Sequence, residues 1–97
     1  MGGIYCIFNV VNCRAYIGKA TRLRTRLAHH KWLLRQGEHP NPELQADWDL
    51  HGESSFNFTV LKKDIPKEKL DKQELRFLKQ FKKLGICCNL YNVQLKR

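Results

Sequence analysis

Ninety-seven residues make one domain with a single core, near the lower end of what is stable alone. No apolar run is long enough to span a bilayer and no cationic start leads into an apolar core and cleavage site, so an intracellular protein without a membrane segment is expected. Eighteen Lys and Arg stand against nine Asp and Glu, and residues 1–37 hold seven of the basic residues and no acidic one, a one-sided field that attracts a polyanion such as a phosphate backbone.

The first predicted elements form a hairpin. Ile4 to Phe8 alternates Ile4, Cys6 and Phe8 against Tyr5 and Ile7, and Arg14 to Ile17 ends in Gly18, as two short strands joined through Asn9–Asn12. That connection pairs Phe8 with Cys13 and sets Tyr5 opposite Tyr16, with both phenols on one face. Cys6, Cys13, Cys87 and Cys88 match no zinc spacing, so reduced and mostly buried thiols are expected.

Ala20 to Gln36 reads as a helix, with Thr21 as N-cap, Gly37 as stop and Leu23, Leu27 and Leu34 on one face. Arg22, Arg26 and His30 are each four residues apart, a stripe at the edge of the leucine face. Asn41-Pro42 opens a second helix that runs to His51, with Leu44 and Trp48 inward and Gly52 at its end. Ser55 to Leu61 alternates Phe56, Phe58 and Val60 against Asn57, Thr59 and Leu61, a third strand for the hairpin.

A last helix is expected from Pro66 to Gly85. Leu70, Glu74, Phe77, Phe81 and Leu84 follow the spacing of an inward seam, in which Glu74 is the anomaly. A carboxylate there loses several kcal/mol of hydration, so it either pairs with a basic residue or binds a cation. Ile86 to Val93 then runs back as an extended tail that brings Asn89 and Asn92 near the sheet. The fold class is α+β, a small three-stranded antiparallel sheet flanked by three helices, in one domain over residues 1–97.

Gly3-Ile4-Tyr5 and Tyr16-Ile17-Gly18 are spaced as in the GIY-YIG nuclease superfamily, and the chain resembles it over nearly its whole length. Gly18-Lys19-Ala20 with Leu23-Arg24 and Arg26 resembles the catalytic module of the nucleotide-excision-repair nuclease subunit. Leu50-His51-Gly52, followed by a Phe-rich strand, is similar to the phage intron-encoded homing endonucleases. The ordered set Tyr5, Tyr16, Arg26, His30, Glu74 and a late Asn carries the likeness. The resemblance implies a metal-dependent endonuclease acting on DNA with one divalent ion. It also implies His39 as a further active-site residue and Tyr91-Asn92-Val93 as the terminal Asn motif, which favours Asn92 over Asn89.

Phosphodiester hydrolysis needs a nucleophilic water, charge neutralisation on phosphorus and help for the departing oxygen. One carboxylate, Glu74, suits Mg²⁺ or Mn²⁺, which keep several waters and complete their shell from phosphate. Tyr5 is expected as general base or water-orienting group, its pKa brought down by Lys19 and Arg26. Arg26 would hold the scissile phosphate. His30 and Tyr16 would relay a proton or donate to phosphate, and Asn92 would orient the site. Arg14, Lys19, Arg22, Arg24 and Lys31 are the expected phosphate-backbone contacts. Unlike the homing endonucleases, the sequence stops five residues after Asn92. That leaves low sequence preference, a homodimer, or a structured or partner-presented DNA as readings. A non-catalytic nucleic-acid-binding module and an RNA-directed nuclease are the alternatives, since nothing here reads the 2′-OH.

Overall fold

The computed structural model describes residues 1–84 and 90–91. Its strands are β1 (Gly2–Asn9), β2 (Arg14–Ala20) and β3 (Phe56–Ile65), and its helices are α1 (Leu23–Gln36), α2 (Pro42–His51) and α3 (Leu70–Leu84). The strands form one antiparallel sheet in the order β2-β1-β3. This is the expected α+β class.

Strand alternation gives the sheet two buried faces. Tyr5 and Ile7 of β1 join Ala20, Leu34, Leu44, Trp48, Phe56 and Tyr91 in one cluster, on the side of α1 and α2. Ile4 and Cys6 join Ala15, Ile17, Ile65, Leu70 and Leu90 on the other side, where Phe77, Leu78 and Phe81 of α3 pack against them. Three helices thus close over both faces of a sheet too small to bury its residues alone.

The hairpin register differs from the sequence expectation. Asn9 pairs with Arg14, Ile7 with Tyr16 and Tyr5 with Gly18, a shift of two residues. The turn occupies Val10–Cys13, and Cys13 takes φ 60. Asn9 and Asn12 shape it: their side-chain oxygens accept from the N–H groups of Val11 and Arg14, at 2.9 and 3.1 Å. A shift of two leaves every side chain on its face, so both phenols still share one.

Other boundaries move for equally local reasons. β2 continues to Ala20, paired with Gly3, so α1 starts only at Leu23; its N-cap is Arg22, without a side-chain cap, and Thr21 does not cap it. Gly37 ends α1 at φ 76, and the N–H groups of Gly37 and Glu38 reach the carbonyls of Leu34 and Leu33. Asn41 caps α2 as expected, its side chain accepting from the N–H of Glu43 and Leu44, both at 3.1 Å. β3 runs past Leu61 to Ile65, through a register irregularity opposite Ile4. Lys67–Lys69 forms a 3-10 turn before α3. Leu90 makes an isolated parallel bridge to Ala15. Gly85, Cys87, Cys88, Asn89 and Asn92 lie outside the described residues.

Candidate active site

The centre of the site is Tyr5, on the middle strand and only 2 % exposed. Its phenol lies across Gly18: a Cβ at that position would fall 2.3 Å from both Cζ and Oη of Tyr5. The glycine of the second tripeptide is therefore a steric requirement of the tyrosine of the first. Tyr16 stands two positions before Gly18 on β2, its ring centroid 6.5 Å from that of Tyr5 with planes 19° apart.

From the helical side, His30 of α1 brings Nε2 to 2.5 Å from Tyr5 Oη. His39, in the loop before α2, places Nε2 at 2.8 Å from His30 Nδ1, and the N–H of Asn41 donates to His39 Nδ1 at 3.0 Å. Tyr16 packs edge-on to both imidazoles, at 5.4 and 6.0 Å between centroids. Two histidines nine positions apart, one within α1 and one in the loop after it, thus meet beneath two tyrosines.

Burial sets the electrostatics. The Tyr5 phenol is pushed well above its ordinary value, first by burial and then by Tyr16, while the Arg26 guanidinium pulls the other way. This corrects the expected lowering: a phenol that is nearly closed to water loses more phenolate hydration than one exposed guanidinium restores, and Lys19 acts on Tyr16 instead. The same burial depresses His30 and His39 to about 4 each, so both rings are neutral at pH 7.

Arg26 is exposed on α1, in a cleft with Ala20, Thr21, Arg22, Thr25 and His29, and its charge acts on Tyr5, Tyr16 and His30. Glu74 approaches from the opposite face. Lys19 alternates with Tyr16 and Gly18 on β2 and so points toward α3, where its Nζ lies 2.9 Å from Asp71 and 3.6 Å from Glu74. The site therefore wraps an edge strand: tyrosines and histidines on one face, Lys19 and Glu74 on the other. Glu74 nevertheless raises the pKa of both Tyr5 and Tyr16. Its own carboxyl is raised, by burial first, because the Lys19 ammonium offsets that burial incompletely.

The expected phosphate-binding residues separate into groups. Arg22 and Arg24 are exposed at the start of α1, and Lys31 lies over the Phe58 ring at 4.9 Å. Arg14 is held within the fold: it pairs with Glu43 and, at 3.8 Å, with Asp47, and its guanidinium lies over the Tyr91 ring at 4.2 Å. Sequence reasoning did not find the buried polar group behind it. Asn9 donates to Tyr91 Oη at 3.1 Å, Tyr91 donates to Asp47 at 2.6 Å, and Asn41 Nδ2 donates to the Tyr91 carbonyl at 2.8 Å. Partners up to 82 residues apart leave no local signal.

A buried tyrosine and a half-buried one backed by histidines, with an exposed arginine on one side of a sheet edge and a glutamate on the other, define a small nuclease domain of the two-tripeptide type. The family model described as the GIY-YIG catalytic domain matches residues 1–92, and the chain belongs to that family. Among solved structures it is similar to the catalytic domain of the homing endonuclease I-TevI, at 27 % identity and TM-score 0.77 over 93 % of this chain and 97 % of that one. A mutant of that intron endonuclease's catalytic domain matches at 30 % identity and TM-score 0.73 over 81 % of each chain. The search of curated proteins gave no match.

Proposed function

We propose that the chain is a divalent-metal-dependent endonuclease that hydrolyses phosphodiester bonds in DNA, with residues 1–97 as one catalytic domain. The observation that carries this reading is the arrangement at the edge of β2, where an exposed guanidinium, Arg26, and a half-buried carboxylate, Glu74, both act electrically on the hydrogen-bonded Tyr5 phenol.

Glu74 is the residue that would hold Mg²⁺ or Mn²⁺. The fit rests on its donor chemistry: the carboxylate is 23 % exposed and its ammonium partner stands 3.6 Å away, beyond hydrogen-bond distance. Among the described residues no cluster of three or more His, Cys, Asp and Glu could cage an ion. A single carboxylate suits an ion that keeps most of its waters. When bound, such an ion neutralises charge on the phosphate.

The chain's own groups divide the remaining work. Arg26, exposed and therefore free to meet a substrate, holds the scissile phosphate through its planar fork. Tyr5 faces the attacking water: it gives its own O–H proton to solvent, with the Arg26 charge favouring the phenolate, and the phenolate then takes the water's proton as the new P–O bond forms. Tyr16 donates to a phosphate oxygen. The P–O ester bond breaks and the departing oxygen takes up a proton from solvent. Arg22, Arg24 and Lys31 supply contacts to the DNA backbone. Lys19 is a cation held by Asp71 and Glu74 at the edge of the site.

The rival reading, a nucleic-acid-binding module in which Glu74 serves only as an ion-pair partner, draws on that same Lys19 contact. Purified protein that nicks supercoiled plasmid with Mg²⁺ or Mn²⁺, and stops with chelator, supports the enzyme. Salt-sensitive DNA binding without nicking supports the module.

A further inference from the structure

The three groups behind Tyr5 form a chain whose first member has no choice of role. A backbone N–H can only donate, so His39 Nδ1, 3.0 Å from the Asn41 nitrogen, must present a lone pair. The proton of neutral His39 then sits on Nε2, 2.8 Å from His30 Nδ1, and is donated there. His30 Nδ1 is thereby an acceptor, which places the His30 proton on Nε2, 2.5 Å from the Tyr5 oxygen.

We propose that the backbone N–H of Asn41 fixes the direction of this chain through His39 and His30 to Tyr5 Oη, which makes His39 a positioning residue for the phenol. The proposal rests on the reading of Tyr5 as the group that faces the attacking water.

Three observations converge on it. An imidazolium at either position would set two N–H groups against each other, His39 against Asn41 or His30 against His39, so the geometry admits only neutral rings. The rings are 5 % and 7 % exposed, and burial holds both well below the usual imidazole range. The origin of the chain is also rigid. The Asn41 side chain caps α2 and donates to the Tyr91 carbonyl, while the His39 N–H donates to Gln45 Oε1 at 2.9 Å.

The direction has a chemical consequence. His30 Nε2 has no lone pair to offer, so His30 cannot accept the Tyr5 proton and is not a relay. It is a fixed donor that remains bonded when Tyr5 becomes a phenolate. Tyr5, already accepting from His30, has to aim its own O–H at another acceptor. The chain thus orients Tyr5 as well as supporting its anion.

Nitrogen-15 NMR of the histidine rings in the intact protein at pH 7, without substrate, tests the direction. The expected spectrum has protonated Nε2 and bare Nδ1 in both His30 and His39. A His30 protonated at Nδ1, or an imidazolium, overturns the proposal. Because no cleavage is needed, that failure is distinct from failure of the nuclease reading, which an inactive parent protein would show.

Two variants test the positioning role. His39→Gln can still donate an N–H toward His30 and accept from Asn41, whereas His39→Leu can do neither. His39→Leu should release His30 from its single tautomer and lower kcat by roughly 10- to 100-fold, by analogy with partners that orient metal-bound histidines. KM should hardly change. His39→Gln should recover most of the loss and keep His30 protonated at Nε2. A leucine variant as active as the parent, or a folded glutamine variant no better than leucine, contradicts the role. If the leucine variant fails to fold, the parent spectrum and the glutamine variant still decide the matter.

Discussion

Tyr5 and Gly18 are cross-strand partners, and the phenol of one occupies the space where a side chain of the other would stand. Residue 18 therefore sets the position of the Tyr5 oxygen relative to His30. Gly18→Ala places a methyl 2.3 Å from Cζ and Oη, so the ring has to leave its place. Overpacking of this kind costs about 1–3 kcal/mol. Thermal unfolding should show that loss, and plasmid nicking should fall by more than about 10-fold, equivalent to about 1.4 kcal/mol of barrier. Unchanged nicking would mean that the phenol can act from elsewhere.

The buried imidazoles give stability a pH dependence of definite sign. His30 and His39 titrate near 4 in the folded protein and near 6.5 when unfolded. Between those values the unfolded chain binds protons that the folded chain refuses. Their contribution is complete above about pH 6.5 and is lost as pH falls toward 4, by an amount on the order of a few kcal/mol. Tm measured from pH 7 down to 4.5 should drop more steeply for the parent than for a variant with both residues changed to Gln. Parallel curves would show that the rings are not held neutral.

Arg26 is exposed, so its replacement should leave the fold alone. Arg26→Lys keeps the charge and loses the planar fork. Turnover should fall by roughly 10-fold or more while DNA affinity and Tm stay close to the parent, as for an interaction made in the transition state. A lysine variant with parental turnover would remove Arg26 from the catalytic set.

Tyr91 joins three distant parts of the chain through its hydroxyl and carbonyl. Tyr91→Phe leaves Asn9 Nδ2 without its acceptor and removes one donor from Asp47, which keeps Asn12 Nδ2 at 3.0 Å, a loss of about 1–3 kcal/mol. Thermal unfolding should detect it, with nicking retained well below the new Tm. A variant as stable as the parent would show that water replaces the hydroxyl.

How much of this was legible in the sequence depends on the range of the interactions. Asn41-Pro42 and Gly37 announce helix ends through local backbone chemistry, and α2 and the end of α1 fall where those residues put them. The hairpin's existence and faces were readable from alternation, but its register depends on Asn9 and Asn12 folding the turn with their own side chains. The four-residue spacing of Arg26 and His30 correctly set them on one side of α1. It could not show that His30 is buried against Tyr5 while Arg26 stays in solvent. Glu74 stood out in its seam, yet its Lys19 partner comes from another element. The direction of the imidazole chain, set by one backbone amide at Asn41, has no signature in residue types at all.

Cleavage of supercoiled plasmid by Glu74→Ala, beside the parent and over a wide range of Mg²⁺ and Mn²⁺, tests the proposed enzyme most directly. Glu74 is 23 % exposed, and Lys19 keeps Asp71 at 2.9 Å when the glutamate is removed. Stability read from Tm should therefore fall by no more than the ~1 kcal/mol typical of solvent-exposed ion pairs. The expected result is a folded variant that binds DNA like the parent and produces no nicks at any ion concentration, while the parent nicks and stops with chelator. A folded Glu74→Ala variant that still nicks would contradict the assignment of the metal to Glu74 and the mechanism built on it.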